Sequence, residues 1–148
     1  MGVEAIQAEE QARVSSRLSK ITVVVRDYDE AIAYYAGALG FKLVENTDMG
    51  AGKRWVVVSP GAGSAEILLA KAASEPQAAR VGDQTGGRVA FFLNTDDFER
   101  DHARLLARGV KFLEPPRAEA YGKVAVFEDI YGNKWDLVEP QALGDGNG

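Results

Sequence analysis

The sequence predicts an α+β protein of two tandem βαβββ modules, whose strands form a curved eight-stranded mixed sheet with the helices outside. Three observations lead there. A helix-opening cluster, Asp27-Tyr28-Asp29-Glu30, runs to a glycine stop in Gly40-Phe41-Lys42-Leu43-Val44-Glu45, and the same order returns as Asp96-Asp97-Phe98-Glu99 and Gly109-Val110-Lys111-Phe112-Leu113-Glu114. The offset is constant at 69 residues, from Asp27 to Asp96, Glu30 to Glu99 and Gly40 to Gly109. Runs rich in β-branched and aromatic residues stand before and after each helix. One βαβββ unit covers a single face of its sheet, so two side by side enclose a concavity, and ligands favour concavities.

Residues 1–18 have no counterpart in the repeat; Val3, Ile6 and Val14 give weak periodicity, consistent with an N-terminal arm or short helix. The first module, residues 19–72, opens with the strand Lys20–Val25. Asp27 and Glu30 then form a capping box. Ile32, Tyr35, Ala36 and Leu39 recur on one helix face, and Gly40 ends the helix because a left-handed cap costs glycine little. Strands follow at Phe41–Glu45, Arg54–Val58 and Glu66–Ala70, with turns at Gly50, Gly52 and Pro60-Gly61-Ala62-Gly63. Residues 73–87 read as a linker. The second module, residues 88–140, repeats the order. It has a strand Arg88–Leu93 and a helix capped at Thr95 or Asp96 with Phe98, Leu105 and Leu106 as its stripe. Strands Val110–Leu113, Lys123–Phe127 and Lys134–Val138 complete it. The tail, 141–148, reads as flexible.

Bulk properties narrow the function. The 148 residues carry a net charge of −5 and no cysteine. That balance argues against a general nucleic-acid binder, which shows a basic stripe. Disulfides, thiolate metal sites and cysteine nucleophiles are excluded. No apolar run reaches the length of a membrane span, and the polar N-terminus with Glu4, Glu9 and Glu10 does not resemble a signal peptide. A cytoplasmic location is the expectation.

The segments Val25-Arg26-Asp27-Tyr28-Asp29-Glu30-Ala31-Ile32-Ala33-Tyr34-Tyr35, Leu39-Gly40-Phe41, Ala107-Arg108-Gly109-Val110 and Phe127-Glu128-Asp129-Ile130-Tyr131-Gly132-Asn133-Lys134-Trp135-Asp136-Leu137 resemble the vicinal oxygen chelate superfamily. That superfamily groups glyoxalase I, bleomycin-resistance proteins, fosfomycin-resistance enzymes and extradiol dioxygenases. The resemblance covers roughly residues 19–140 and implies the glyoxalase/bleomycin resistance fold and a homodimer. It also implies a divalent metal held by His or Gln, Glu, His and Glu. Carried onto this chain, the four positions fall on Lys20, Leu68, Arg88 (Ala90 if the loop is left ungapped) and Asp136. Only Asp136 is a plausible ligand, because Lys and Arg are cationic donors and Leu has no lone pair. The expectation is therefore a family scaffold whose usual metal site is replaced, with no cofactor.

Strand alternation assigns the cavity face. Lys20, Thr22 and Val24 oppose Ile21, Val23 and Val25; Glu66 and Leu68 oppose Ile67 and Leu69. Arg88, Ala90 and Phe92 oppose Val89 and Phe91; Lys134, Asp136 and Val138 oppose Trp135 and Leu137. The candidate ligand-binding residues are thus Lys20, Arg88, Asp136, Glu66, Leu68 and Phe92, joined by Trp55 and by Tyr121 in a loop over the pocket. The four charges admit two readings. Either Asp136 pairs with Lys20 or Arg88 for stability alone, or the cations recognise a carboxylate, phosphate or enolate oxygen. His102, on the apolar stripe of its helix, and Trp135 read as packing residues. Asp129-Ile130-Tyr131-Gly132-Asn133 reads as a structural turn. No catalytic residue is assigned. The leading expectation is a protein that binds a small organic molecule in the curved-sheet cavity. The alternative is an enzyme of the superfamily, of lyase, isomerase or dioxygenase type, with a non-standard or metal-free site. Acidity favours a cationic ligand, whereas Lys20 and Arg88 favour an anionic one.

Overall fold

The structure, a computed structural model, describes residues 2–13 and 15–141. Val14 and the tail from residue 142 lie outside the described residues. Val3–Arg13 form helix α1, exposed over residues 3–9. A first sheet holds β1 (Lys20–Val25), β2 (Lys42–Gly50), β3 (Lys53–Ser59) and β4 (Glu66–Lys71) in the order β1-β4-β3-β2. β1 runs parallel to β4 and the other pairs are antiparallel. A second sheet holds β5 (Val89–Asn94), β6 (Lys111–Phe112), β7 (Arg117–Glu119), β8 (Gly122–Glu128) and β9 (Lys134–Pro140). Its order is β5-β9-β8-β6, with β7 also on β8. Helix α2 (Tyr28–Ile32) joins β1 to β2, α3 (Glu75–Ala78) sits between the sheets in sequence, and α4 (Phe98–Ala107) joins β5 to β6. No helix among the described residues is long and apolar enough to cross a membrane.

The fold class is the one expected, with one correction. The strands form a four-stranded and a five-stranded sheet rather than one continuous eight-stranded sheet. The edge of β1 shows why. Gln84 accepts the Val24 N–H with its Oε1 and donates Nε2 to the Thr22 carbonyl at 3.1 Å, standing where a neighbouring strand would pair. Two other departures are local. β2 runs past Glu45 to Gly50, because pairing with β3 continues to a turn at Ala51-Gly52, both at positive φ. The expected strand at 110–113 is observed as β6, with the Leu113 N–H still bonded to the Val126 carbonyl; after Pro115 and Pro116, which offer no N–H, the chain pairs again with β8 as β7.

The helix starts also differ in detail. Asp27 caps α2 through the Glu30 N–H at 2.8 Å, but Glu30 does not close the box; it pairs with Arg26 at 2.7 Å. Helix α4 is capped by Asp97, which accepts from the Arg100 N–H at 3.0 Å, rather than by Thr95 or Asp96. Thr95 instead accepts the Asp97 N–H and donates to Asp101 at 2.6 Å. Gly40 thus follows its cap by 13 residues and Gly109 by 12. The extra residue is taken up by a π-helical stretch, Ala33–Ala38, which continues α2 and widens the repeat to i→i+5. Both glycines hold the left-handed conformation that stops each helix, φ 78° and 83°.

That stretch carries Tyr34 and Tyr35 across to the second sheet. Tyr34 Oη donates to the Glu128 carbonyl at 3.2 Å, and Tyr35 Oη to Asp129 Oδ2 at 2.6 Å. Tyr35, Phe41, Phe91 and Phe127 gather around Trp135 with ring centroids 4.6–6.0 Å apart. One buried cluster therefore joins α2, α4 and one face of each sheet, including Val23, Leu69, Leu105, Phe127 and Leu137. Helices α2 and α4 lie in this shared core, whereas α3 has no buried residue. The opposite sheet faces look away from it, yet Val57, Val124 and Val138 on them are 1%, 0% and 7% exposed, so each outer face has its own apolar floor.

Candidate functional site

The residues expected to meet in one cavity are distributed over the two outer faces. On the first sheet, Lys20 and Glu66 are register partners on β1 and β4, and their charged ends lie 3.5 Å apart. Cross-strand neighbours of opposite sign pair readily, so Lys20 is engaged by Glu66 and not by Asp136. Leu68 and Trp55 share a cavity of about 520 Å³ on this side, with Ala70, Arg54, Tyr28 and Gln77 also at its wall. Arg54 is held there at 3.0 Å from Asp29 and 5.1 Å above the Tyr28 ring. Gln77 arrives on α3, whose start is capped by Ser74.

Arg88 departs from its expected place. It precedes β5, and its side chain is exposed. The register passes from Val89↔Lys134 to Phe91↔Trp135, so Ala90 is an extra residue in β5. Such a bulge breaks the alternation on which the face of Arg88 was assigned. Beyond it the expected faces hold: Phe91 packs on the core while Phe92 stands 67% exposed.

Asp136 lies on β9 between Phe92 of β5 and Val126 of β8. It is 7% exposed, and its Oδ1 has no hydrogen-bond partner among the described residues. Burial pushes its carboxyl above the usual carboxylate range; the charge of Arg117 opposes this and that of Glu114 adds to it. Arg117 is already committed. Its Nε donates to Glu114 Oε2 at 3.0 Å, and its Nη1 to Glu119 and to Tyr121 Oη at 3.4 Å. Glu114 Oε2 also accepts the Val126 N–H at 3.1 Å. Tyr121 is 45% exposed beside this group. Sequence reading missed Glu114 and Arg117, because the strand that carries Arg117 is short and follows two prolines. The repeat offered no signal for it.

The remaining candidates are structural. His102 stacks on Phe98 at 5.3 Å and meets Phe112 edge-on at 4.5 Å. Asp129, 4% exposed, accepts the backbone N–H groups of Tyr131, Gly132 and Asn133, each at 2.9 Å, besides Tyr35 Oη. Among the described residues no group of three His, Asp or Glu is placed to hold a metal ion.

The sequence profile of the Glyoxalase/Bleomycin resistance protein/Dioxygenase superfamily matches residues 17–137. The chain belongs to this superfamily. An uncharacterised protein of Shewanella frigidimarina (strain NCIMB 400) is 53% identical over 121 residues, covering 80% of this chain and 90% of its own. Among solved structures, UcmS2 superposes with a TM-score of 0.74 at 29% identity, covering 85% of this chain and 99% of its own. TnmS3, an antibiotic binding protein from Streptomyces sp. CB03234, gives 0.70 at 28% identity, covering 85% and 97%. UcmS2 and TnmS3 share the overall fold described above.

Proposed function

We propose that this superfamily member binds a small organic molecule of the size of an antibiotic against its outer sheet faces, with the usual metal site replaced. The cavity of about 520 Å³ beside Trp55 and Leu68 carries the reading; small-molecule pockets span roughly 300–1,000 Å³ and are mainly apolar with a few polar groups. The likeness to TnmS3 supports an antibiotic as the ligand class. The four positions that hold the metal in relatives do not fit a divalent ion. Lys20 is a cation bound to Glu66, Leu68 has no lone pair, Arg88 is exposed ahead of its strand, and Asp136 belongs to no group of three His, Asp or Glu among the described residues. One carboxyl does not supply the several converging ligands a divalent site requires.

Both outer faces are open within one chain. A second copy placing its second sheet over the first sheet of this one would close a shared cavity, which supports a homodimer. The acidic composition and the absence of a basic stripe fit a cytoplasmic protein without a nucleic-acid or membrane partner. A thermal-shift screen of antibiotics and small aromatic compounds, with light scattering for mass, tests the reading. Saturable stabilisation of a dimer, lowered in Trp55→Ala, supports it. A monomer stabilised by none of them refutes it. Stoichiometric Fe, Mn, Ni or Zn in the purified protein supports the enzymatic alternative instead.

A further inference from the structure

The side of this protein that carries Asp136 makes a narrower statement than the cavity at Trp55. The carboxyl is more than nine-tenths buried, and Oδ1 lacks a partner among the described residues. A buried acceptor left without a donor loses its hydration and gains nothing in return. The basic side chains on this side make their hydrogen bonds to other groups. Arg117 serves Glu114, Glu119 and Tyr121, and Lys134 Nζ donates to the Gly87 carbonyl at 3.2 Å. Glu128, the register partner of Lys134, is paired with Lys111 at 2.9 Å. The surroundings of the carboxyl are otherwise apolar: Val126 and Phe92 flank it in register. Phe92, the register partner of Asp136, is 67% exposed, and Tyr121, 45% exposed, is bound to Arg117, whose charge reaches Asp136.

We infer that Asp136 is the anchor for a protonated amine or amidine on a ligand whose aromatic body lies against Phe92 and Tyr121. This deepens the small-molecule reading above and rests on it. It also resolves the conflict left by composition. The two cations that argued for an anionic ligand are a paired lysine and an arginine outside the strand. The unsatisfied group is an acceptor, and only a donor completes it. Exposed aromatic faces attract cations through their quadrupole as well as by apolar contact, so the two features select the same kind of molecule. Arg117, bound by the Glu114 and Glu119 carboxylates, makes no hydrogen bond to Asp136 among the described residues.

The test uses the full chain and three probes that share one naphthyl body, 2-naphthylmethylammonium, 2-naphthylmethanol and 2-naphthoate, titrated by calorimetry at one pH near neutrality. The expected order is ammonium, then alcohol, then carboxylate, with the first at least tenfold tighter than the last. Asp136→Asn keeps the shape, and it should weaken the ammonium about tenfold to hundredfold, the worth of one charge-assisted hydrogen bond, while leaving the alcohol within about threefold. Phe92→Ala, at an exposed side chain, should weaken all three probes alike. Equal binding of ammonium and carboxylate by the unaltered protein overturns the inference even if Asp136→Asn fails to fold. So does an ammonium affinity unchanged in Asp136→Asn, or an Asp136→Asn protein whose only change is loss of the dimer. Those outcomes leave small-molecule binding standing. Failure of all three probes together with a negative antibiotic screen removes both.

Discussion

Removing a single hydroxyl, in Tyr35→Phe, probes how the two modules are held together. Tyr35 is 0% exposed, and its Oη lies 2.6 Å from Asp129 Oδ2, a residue 94 positions away and itself 4% exposed. The bond is neutral donor to charged acceptor, for which about 1.5–3 kcal/mol is typical. Asp129 keeps three backbone N–H donors and the Asn133 side-chain amide, so its charge is not orphaned, and the loss should fall near the lower limit, about 1.5–2 kcal/mol. No cavity term is added, because phenylalanine keeps the ring among Tyr34, Phe41 and Trp135. For a chain of this length that is a fall in Tm of roughly 4–8 °C. Asp129→Ala should cost more, above about 3 kcal/mol, since it strands the tyrosine hydroxyl and all the turn amides at once. Urea unfolding at one protein concentration, followed by tryptophan fluorescence, measures both, and the double variant gives their coupling. A change below about 0.5 kcal/mol in Tyr35→Phe, or a coupling near zero, would refute the claim that this bond joins α2 to the second sheet.

Gly82→Ala should destabilise strongly, by upwards of about 2 kcal/mol in urea unfolding: φ is +77°, and the added carbon would meet the Tyr131 carbonyl oxygen at 1.7 Å. Gly86→Ala is its control, with φ +67° and no atom within 4 Å, and should cost only about 1 kcal/mol of backbone strain. Leu105→Ala empties a fully buried site in the shared core and should cost about 2–5 kcal/mol by the same assay. Asp101 is held below the ordinary carboxylate range first by its hydrogen bond to Arg100, then by that from Thr95 and the charges of Arg100 and Arg104, against the cost of burial. Its contribution is thus present above the unfolded value near pH ~3.9 and lost as pH falls through the lower folded one. Urea midpoints of Asp101→Asn should trail the unaltered protein at pH 7 and converge with it in strong acid; a gap that stayed constant would contradict this.

Much of the fold is legible because its signals are local. Asp27 ahead of an apolar helix stripe, and glycines that alone take φ near +80° without strain, need no distant partner to act. The β-branched run of β1 and the alternation of β4 and β9 place inward faces correctly, and Trp135 and Leu137 are in the core as their spacing requires. The departures come where one residue shifts a period. The bulge at Ala90 moves Arg88 off its expected face, the π-helical residue after α2 sets Asp27 level with Asp96 although the cap of α4 is Asp97, and β7, beyond two prolines, adds a strand to the expected one at β6. A period-two or period-3.6 pattern carries no marker for an inserted residue until pairing reveals it.

Composition and periodicity were enough for the two βαβββ halves, their order and the apolar side of most strands, since these are set by neighbours within a few positions. Which charges meet was not available at that range. Lys20 finds Glu66 only through the register of β1 on β4, and Asp136 Oδ1 is left without a partner among the described residues. Coulomb and hydrogen-bond partners depend on separations of a few ångströms across the folded chain, and only the packing of one sheet against α2, α4 and the other sets those separations.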